Sequence, residues 1–362
     1  MLKLYSAEND FHSHYLARLA AEARAGYAEA LHRFAAYGPY AGMSGSEIQV
    51  AAPTMIDAFE TGAAEHGFGT WREFELYLEA VRERREKAPS MRLFRAVEND
   101  DLDKVRTSLD DDASLANAVA STGKSALQKS PSRAMAELLL ARGADPAREA
   151  TVPGSTGILH AVLWGFTDVV DAIGEHSRAP GNLRVAAALG DLAMIDTAFD
   201  ADGTLTPAAR AVRDYYRPNY GWYPWSPSDS AQEVLDEALI LAATHNRIDA
   251  MDALRSRGAS VDGKVFDTTA MIRAAWKGHL PAVQSLIEAG ADLDVRGRHG
   301  GHAQGVTALH IAAESNHQQI VDVLLNAGAN PTLEDDLYHG TPAGWARNRG
   351  HTALAERLQT LA

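Results

Sequence analysis

One passage of this sequence returns at a regular interval, and that repetition limits what the chain can fold into more than any other feature. In the last third, Thr307-Ala308-Leu309-His310-Ile311-Ala312-Ala313 leads into Asn316-His317, then Ile320-Val321-Asp322-Val323-Leu324-Leu325, then Gly328-Ala329-Asn330. Thr341-Pro342-Ala343 through Gly350-His351 repeats the order. Upstream, Thr269-Ala270-Met271 through Gly278-His279 and Gly290-Ala291-Asp292 carry the same text, as do Ala242-Ala243 and Gly258-Ala259-Ser260. The equivalent turn residues Asn246, Gly278, Asn316 and Gly350 lie 32, 38 and 34 residues apart. Threonine ahead of a short apolar run can cap a helix, and alanine pairs let neighbouring helices approach closely. Glycine after the leucine run supplies a left-handed residue that ends the second helix. Each unit is therefore expected to be two antiparallel helices and a loop. So short a pair cannot bury its own apolar face, so the units must stack and share one core.

The period and the T-P-L-H-x-A text resemble the ankyrin repeat. The resemblance implies an all-α ankyrin-repeat solenoid of stacked helix pairs over residues 91–362, about eight units, preceded by an N-terminal helical region over 1–90. The earlier units are more worn: Leu93 to Leu109, then Ser125 to Pro146 with a shortened inner helix, then Ile158 to Ile173, then Leu183 to Phe199. Gly190 and Asn246 are 56 residues apart, so about 20 extra residues interrupt the stack near 200–230. That insertion contains Asp214-Tyr215-Tyr216-Arg217-Pro218-Asn219-Tyr220-Gly221-Trp222-Tyr223-Pro224-Trp225, too rich in proline for a regular helix or a central strand. A smaller one, Arg296 to His302, lengthens another loop. In residues 1–90 apolar spacing predicts helices over about 7–36, 46–66 and 71–86, with Gly67 closing the second. Thr70-x-x-Glu73 forms a capping box for the third, with Trp71, Phe74 and Leu78 on one face. The text Glu65 to Trp71 resembles a helical segment that precedes ankyrin repeats in many bacterial proteins, which implies a bacterial origin and a helical cap over the first repeat.

Acidic residues outnumber basic ones, 48 to 34, and the net charge of −14 opposes general binding to nucleic acid or to an anionic membrane surface. The chain has no cysteine, so it has no disulfide, thiolate nucleophile or Cys-ligated metal. Neither a signal peptide nor a transmembrane run is legible, and a cytoplasmic location is the expectation. No nucleophile elbow, P-loop, metalloprotease or dinucleotide fingerprint occurs, and no cofactor is expected. His12 with His14, and His299 with His302 near Asp292 and Asp294, read as solvated histidines rather than metal ligands.

Counted from each turn, the residue before the alanine pair and the two after it share one side of the inner helix, the side that lines the groove of ankyrin folds. Glu98 and Asn99, His160, Leu163 and Trp164, Val185 and Leu189, Thr244 and His245 fall there. Arg273, Trp276 and Lys277, then Ile311, Glu314 and Ser315, then Trp345, Asn348 and Arg349 complete the set. Three of the six tryptophans stand on this wall and two more in the insertion, the kind of enrichment found in recognition surfaces. The candidate contact residues are His160, Trp164, Tyr216, Tyr220, Trp222, Trp225, His245, Arg273, Trp276, Lys277, Trp345 and Arg349. His279, His317 and His351 at the turns and His310 in the T-P-L-H position read as structural. The expected function is a binding module that holds a protein or peptide, with the 212–226 loop as an added contact. The alternative is an enzyme or small-molecule binder using the same groove, with His160 or His245 in acid–base roles.

Overall fold

A computed structural model of the chain describes residues 9–65, 67–76, 88–120, 124–148, 156–176, 182–210, 228, 230–299 and 303–361. Most of the aromatic insertion, with Tyr216, Tyr220, Trp222 and Trp225, lies outside the described residues. The chain divides into two compact units: Met1–Arg95 with Ala120–Thr122, and Ala96–Val119 with Gly123–Ala362.

The first unit holds helices α1 (Asn9–Arg24), α2 (Ala28–Ala36), α3 (Gly45–Ala51) and α4 (Met55–Glu65). The first two of the helices read from apolar spacing are each broken once. Gly26 takes φ +85 between α1 and α2, and Ala52 takes the left-handed region at φ 52 just before Pro53, which has no N–H to continue a helix. Leu16, Leu19, Phe34, Ile48 and Ala58 form the core here, and Arg33 pairs with Glu65. Residues 71–76 are helical. Only half of the expected capping box forms: Thr70 Oγ1 accepts from Glu73 N at 3.3 Å, while the Glu73 carboxylate accepts from Gly69 N at 2.9 Å. Trp71 stacks on Phe59 with ring centroids 4.7 Å apart, and Leu78 lies outside the described residues.

The unit boundary falls within helix α5 (Pro89–Glu98), and α6 (Leu102–Asp111) follows it in the chain. One turn of 3₁₀ helix, Leu127–Lys129, then stands before α7 (Arg133–Ala141) where other repeats have an inner helix. Helix pairs follow: α8 (Gly157–Trp164) with α9 (Thr167–His176), α10 (Leu183–Leu189) with α11 (Leu192–Thr197), and α12 (Ala231–Thr244) with α13 (Ile248–Ser256). The last three are α14 (Ala270–Lys277) with α15 (Leu280–Glu288), α16 (Ala308–Glu314) with α17 (Gln318–Asn326), and α18 (Pro342–Asn348) with α19 (Thr352–Gln359). The architecture is an all-α repeat solenoid. One departure is the segment read as a longer loop: β1 (Gly297–His299) and β2 (Ala303–Val306) form an antiparallel hairpin with Arg298 opposite Gln304.

The same local chemistry recurs along the stack. Thr156, Asn182, Ser230, Thr269 and Thr341 cap their inner helices by accepting from the backbone N–H three residues on. Ala186-Ala187, Ala242-Ala243, Ala274-Ala275 and Ala312-Ala313 are fully buried, which lets inner helices pack close. The last four turns are tied to the preceding repeat. His279 Nε2 donates to Thr244 O (3.0 Å), His317 Nε2 to Trp276 O (3.2 Å) and His351 Nε2 to Glu314 O (3.1 Å). Arg247 replaces the histidine one repeat earlier and sends Nε to Ala188 O at 2.9 Å. On the loop side, Asn117, Asp262 and Asp294 side chains accept the backbone N–H of Asp145, Asp292 and Asn330, each in the next repeat.

Candidate functional site

Helix α8 is eight residues long and ends at Trp164, so the carbonyls of its last turn are short of partners and carry the negative end of the helix dipole. Three donors from distant repeats meet them. His245 Nε2 donates to Val162 O (2.8 Å), Arg273 Nη2 to Leu163 O (2.5 Å) and Lys277 Nζ to Trp164 O (3.3 Å). Thr167 Oγ1 completes the contact by donating to His245 Nδ1 at 2.9 Å. These bonds span 83, 110 and 113 residues. A solenoid repeat ordinarily touches only its neighbours; here the α8–α9 turn reaches the ends of both α12 and α14. Gly165, at φ +65, makes the approach feasible, because a Cβ there would lie 2.3 Å from Lys277 Cε and 2.9 Å from Thr244 Cγ2. Gly165→Ala is therefore expected to cost about 1–2 kcal/mol from backbone strain alone and to displace Lys277. A urea midpoint equal to wild type would contradict that.

Beside these bonds sits a cluster of cations and rings. The Arg273 guanidinium lies 4.6 Å and the Lys277 ammonium 4.4 Å from the centre of the Trp276 ring. Lys277 Nζ is also 5.8 Å from the Phe166 ring, and His299 on β1 packs against Trp276 at 4.7 Å. Trp164 and Phe166 are 44% and 39% exposed, so the cluster presents apolar surface to solvent next to fixed positive charge. Burial, helped by Arg273, pushes the Lys277 pKa down to about 8.

The nominated residues therefore separate. Trp164, Arg273, Trp276 and Lys277 come together. His245 does not face an open groove: it is 1% exposed and both ring nitrogens are engaged. Burial drives its pKa to about 3 against the pull of the Val162 carbonyl, with Arg247, Arg273 and Lys277 adding to the depression. His160 is 4% exposed, packs near Trp164 and Phe166 at 6.1 and 6.2 Å, and is brought to about 3 by burial and then by Lys124 and Lys129. An imidazole so depressed is a very weak base at neutral pH, which removes the basis for acid–base roles at either position. Trp345 is a core residue, 8% exposed, its Nε1 donating to Asp335 Oδ2 at 2.9 Å. Arg349 stands apart, paired with Glu314 through Nε at 2.9 Å.

Two residues of this region escaped sequence reasoning. Phe166 and Arg247 each occupy the place taken by the turn histidine in Gly278-His279 and Gly350-His351. A departure from the repeat text, rather than agreement with it, was the available signal.

A family model described as ankyrin repeats (3 copies) matches residues 228–297, and one for the ankyrin repeat matches residues 304–336. Among curated relatives, the chain is 32% identical over 130 residues to "Probable E3 ubiquitin-protein ligase XBOS34" of Oryza sativa subsp. japonica, covering 35% of this chain and 25% of that protein. It is 25% identical over 159 residues to "Ankyrin repeat and KH domain-containing protein mask-1" of Caenorhabditis elegans, covering 42% and 6%. It is 36% identical over 101 residues to an ankyrin repeat-containing protein of Treponema pallidum (strain Nichols), covering 27% and 32%. The chain thus spans a third or less of each relative's length. Among the described residues, no helix is long and apolar enough to cross a membrane.

Proposed function

We propose that this chain is a binding module that receives a segment of a protein partner on the inner-helix side of its ankyrin stack, centred on Trp164, Phe166, Arg273, Trp276 and Lys277. Ankyrin repeats and ankyrin-containing relatives speak for protein partners in general. The observation that carries the location is a half-buried cation pair set against the Trp276 ring, with the exposed Phe166 ring beside Lys277 and the exposed Trp164 tied to Lys277 through its carbonyl. Aromatic anchors beside arginine or lysine are the usual source of binding energy in protein interfaces. The positive charge, in a chain of net charge −14, selects an acidic or mixed segment. Tyr216, Tyr220, Trp222 and Trp225 belong to this reading as a further contact, and the helices before the repeats as a bacterial-type cap in a cytoplasmic protein. A small-molecule enzyme built on His160 or His245 has no support, since both imidazoles are enclosed and neutral.

The test is selection of a random peptide display library on the full chain. The Trp164→Ala, Trp276→Ala double variant is expected to bind the recovered peptides about tenfold or more weakly by fluorescence anisotropy while retaining its circular dichroism spectrum. Equal affinity in the folded variant would place recognition elsewhere.

A further inference from the structure

The repeats themselves show what a cation just before the turn takes as its partner. Arg349 precedes Gly350, and its guanidinium is paired with Glu314. Glu314 stands two residues before the turn of the preceding repeat, at Asn316. Lys277 precedes Gly278 in the same way, and the equivalent position one repeat back, two residues before Asn246, is Thr244. That threonine is short and uncharged, and its hydroxyl is committed, donating to Ile240 O at 2.7 Å and accepting from Arg273 Nε at 3.2 Å. The carboxylate that closes this arrangement at Arg349 has no counterpart at Lys277.

Among the described residues no other group supplies one. Arg33, Lys104, Lys129, Arg133, Arg142, Arg247 and Arg257 each pair with an aspartate or glutamate. Among the described residues, no carboxylate pairs with Lys277, whose recorded hydrogen bond is to the Trp164 carbonyl. Among the described residues, the charged and titratable groups coupled to it are Arg273 on its own helix, His279 just beyond the turn, and His245 at the end of the preceding repeat's inner helix. All of these are cationic or neutral. A half-buried ammonium close to a guanidinium, and without a carboxylate of its own among the described residues, carries a free-energy cost that an incoming carboxylate would relieve.

We propose that the Lys277 ammonium, set between the Phe166 and Trp276 rings, is the seat for a carboxylate side chain of the partner, standing in for the glutamate that the repeat supplies at Arg349. The exposed Trp164 and Phe166 rings then take the apolar residues flanking that carboxylate. The inference rests on the binding reading above and narrows it to one charge pair. A single seated carboxylate makes the site selective for acidic segments of defined spacing rather than for any negative surface.

A double-mutant cycle tests it, using the tightest peptide recovered from the display selection, fluorescein-labelled, with each glutamate or aspartate changed in turn to its amide. One such change is expected to weaken binding to the wild-type chain about tenfold and to leave affinity for Lys277→Gln unchanged, whereas Lys277→Arg keeps the dependence. Equal thermal midpoints for the Gln and Arg variants verify that the fold is intact. If every amide change is silent, or costs the same with and without Lys277, the carboxylate seat is wrong while dependence on Trp164 and Trp276 still supports the binding reading. If no peptide is recovered, or the recovered peptides ignore both tryptophans, both fall.

Discussion

Lowering the pH from 7.5 to 5 is expected to strip this protein of much of its stability, because three imidazoles are locked into the fold as neutral groups. His160 and His245 are driven to about 3 and His310 to about 4, each mainly by burial, from an ordinary value of 6.5. Between those folded values and 6.5 the unfolded chain binds protons that the folded chain refuses. Stability is therefore fully present above about pH 6.5 and is lost as pH falls through it. At pH 5 each imidazole is worth on the order of 2 kcal/mol of destabilisation, ~6 kcal/mol together, against a typical total of 5–15 kcal/mol. Urea unfolding followed by circular dichroism at pH 7.5, 6 and 5 measures this directly. His310→Asn should remove about a third of the slope, and a midpoint unchanged down to pH 5 would show that the imidazoles are not held neutral.

The same histidines mark where sequence reading succeeds and where it stops. His310 was legible because its role is local: Nδ1 accepts from Thr307 N three residues away, and Nε2 reaches Gly340 O in the next repeat, as the repeat text dictates. The turns were legible for the same reason. Asn246 and Asn316 take φ 57 and 56 in the left-handed region, matching Gly278 and Gly350, so period and residue type agree. His245 was not legible. Counting from Asn246 put it on the groove side of the inner helix, whereas it is the residue just past the end of α12, and nothing in a period of 32 to 38 residues encodes a contact with Val162, 83 positions away and two repeats back. Register assigns a direction to a side chain and leaves open what arrives in front of it. Arg273 and Lys277 show the intermediate case: spacing groups them with Trp276, and they do cluster with its ring, but the α8 carbonyls they meet were not foreseen. Trp345 failed for a related reason, since the Asp335 loop folds over it. In residues 1–90 the broken helices at Gly26 and Ala52-Pro53 reflect the opposite error, in which apolar spacing outweighed visible turn residues.

Asp335→Ala is expected to detach the end of the solenoid. The Asp335 side chain is 1% exposed and accepts four hydrogen bonds: Leu337 N (2.8 Å) and Tyr338 N (2.7 Å) on Oδ1, Gly340 N (2.8 Å) and Trp345 Nε1 (2.9 Å) on Oδ2. Burial alone would raise its pKa, but the donors from Tyr338, Trp345, Gly340 and Leu337 outweigh it and hold the carboxyl below its ordinary value. It therefore stays ionised through the range where the histidines titrate, and its own contribution is lost only at lower pH, as the folded carboxyl takes up its proton. Alanine leaves three backbone N–H groups and an indole N–H without their acceptor, a loss on the order of 3–5 kcal/mol. The loop they shape also carries Gly340 O, the acceptor for His310 in the preceding repeat, so the defect reaches the interface between the last two helix pairs. In a stack held by nearest-neighbour contacts, damage at an end frays that end first. Hydrogen exchange should accordingly rise across 335–361 while α12 and α14 keep their protection. Asp335→Asn, which retains one carbonyl acceptor, should fall between alanine and wild type. Uniform loss of protection along the whole chain would mean that the stack unfolds as one unit and that the local staple is not what holds its end.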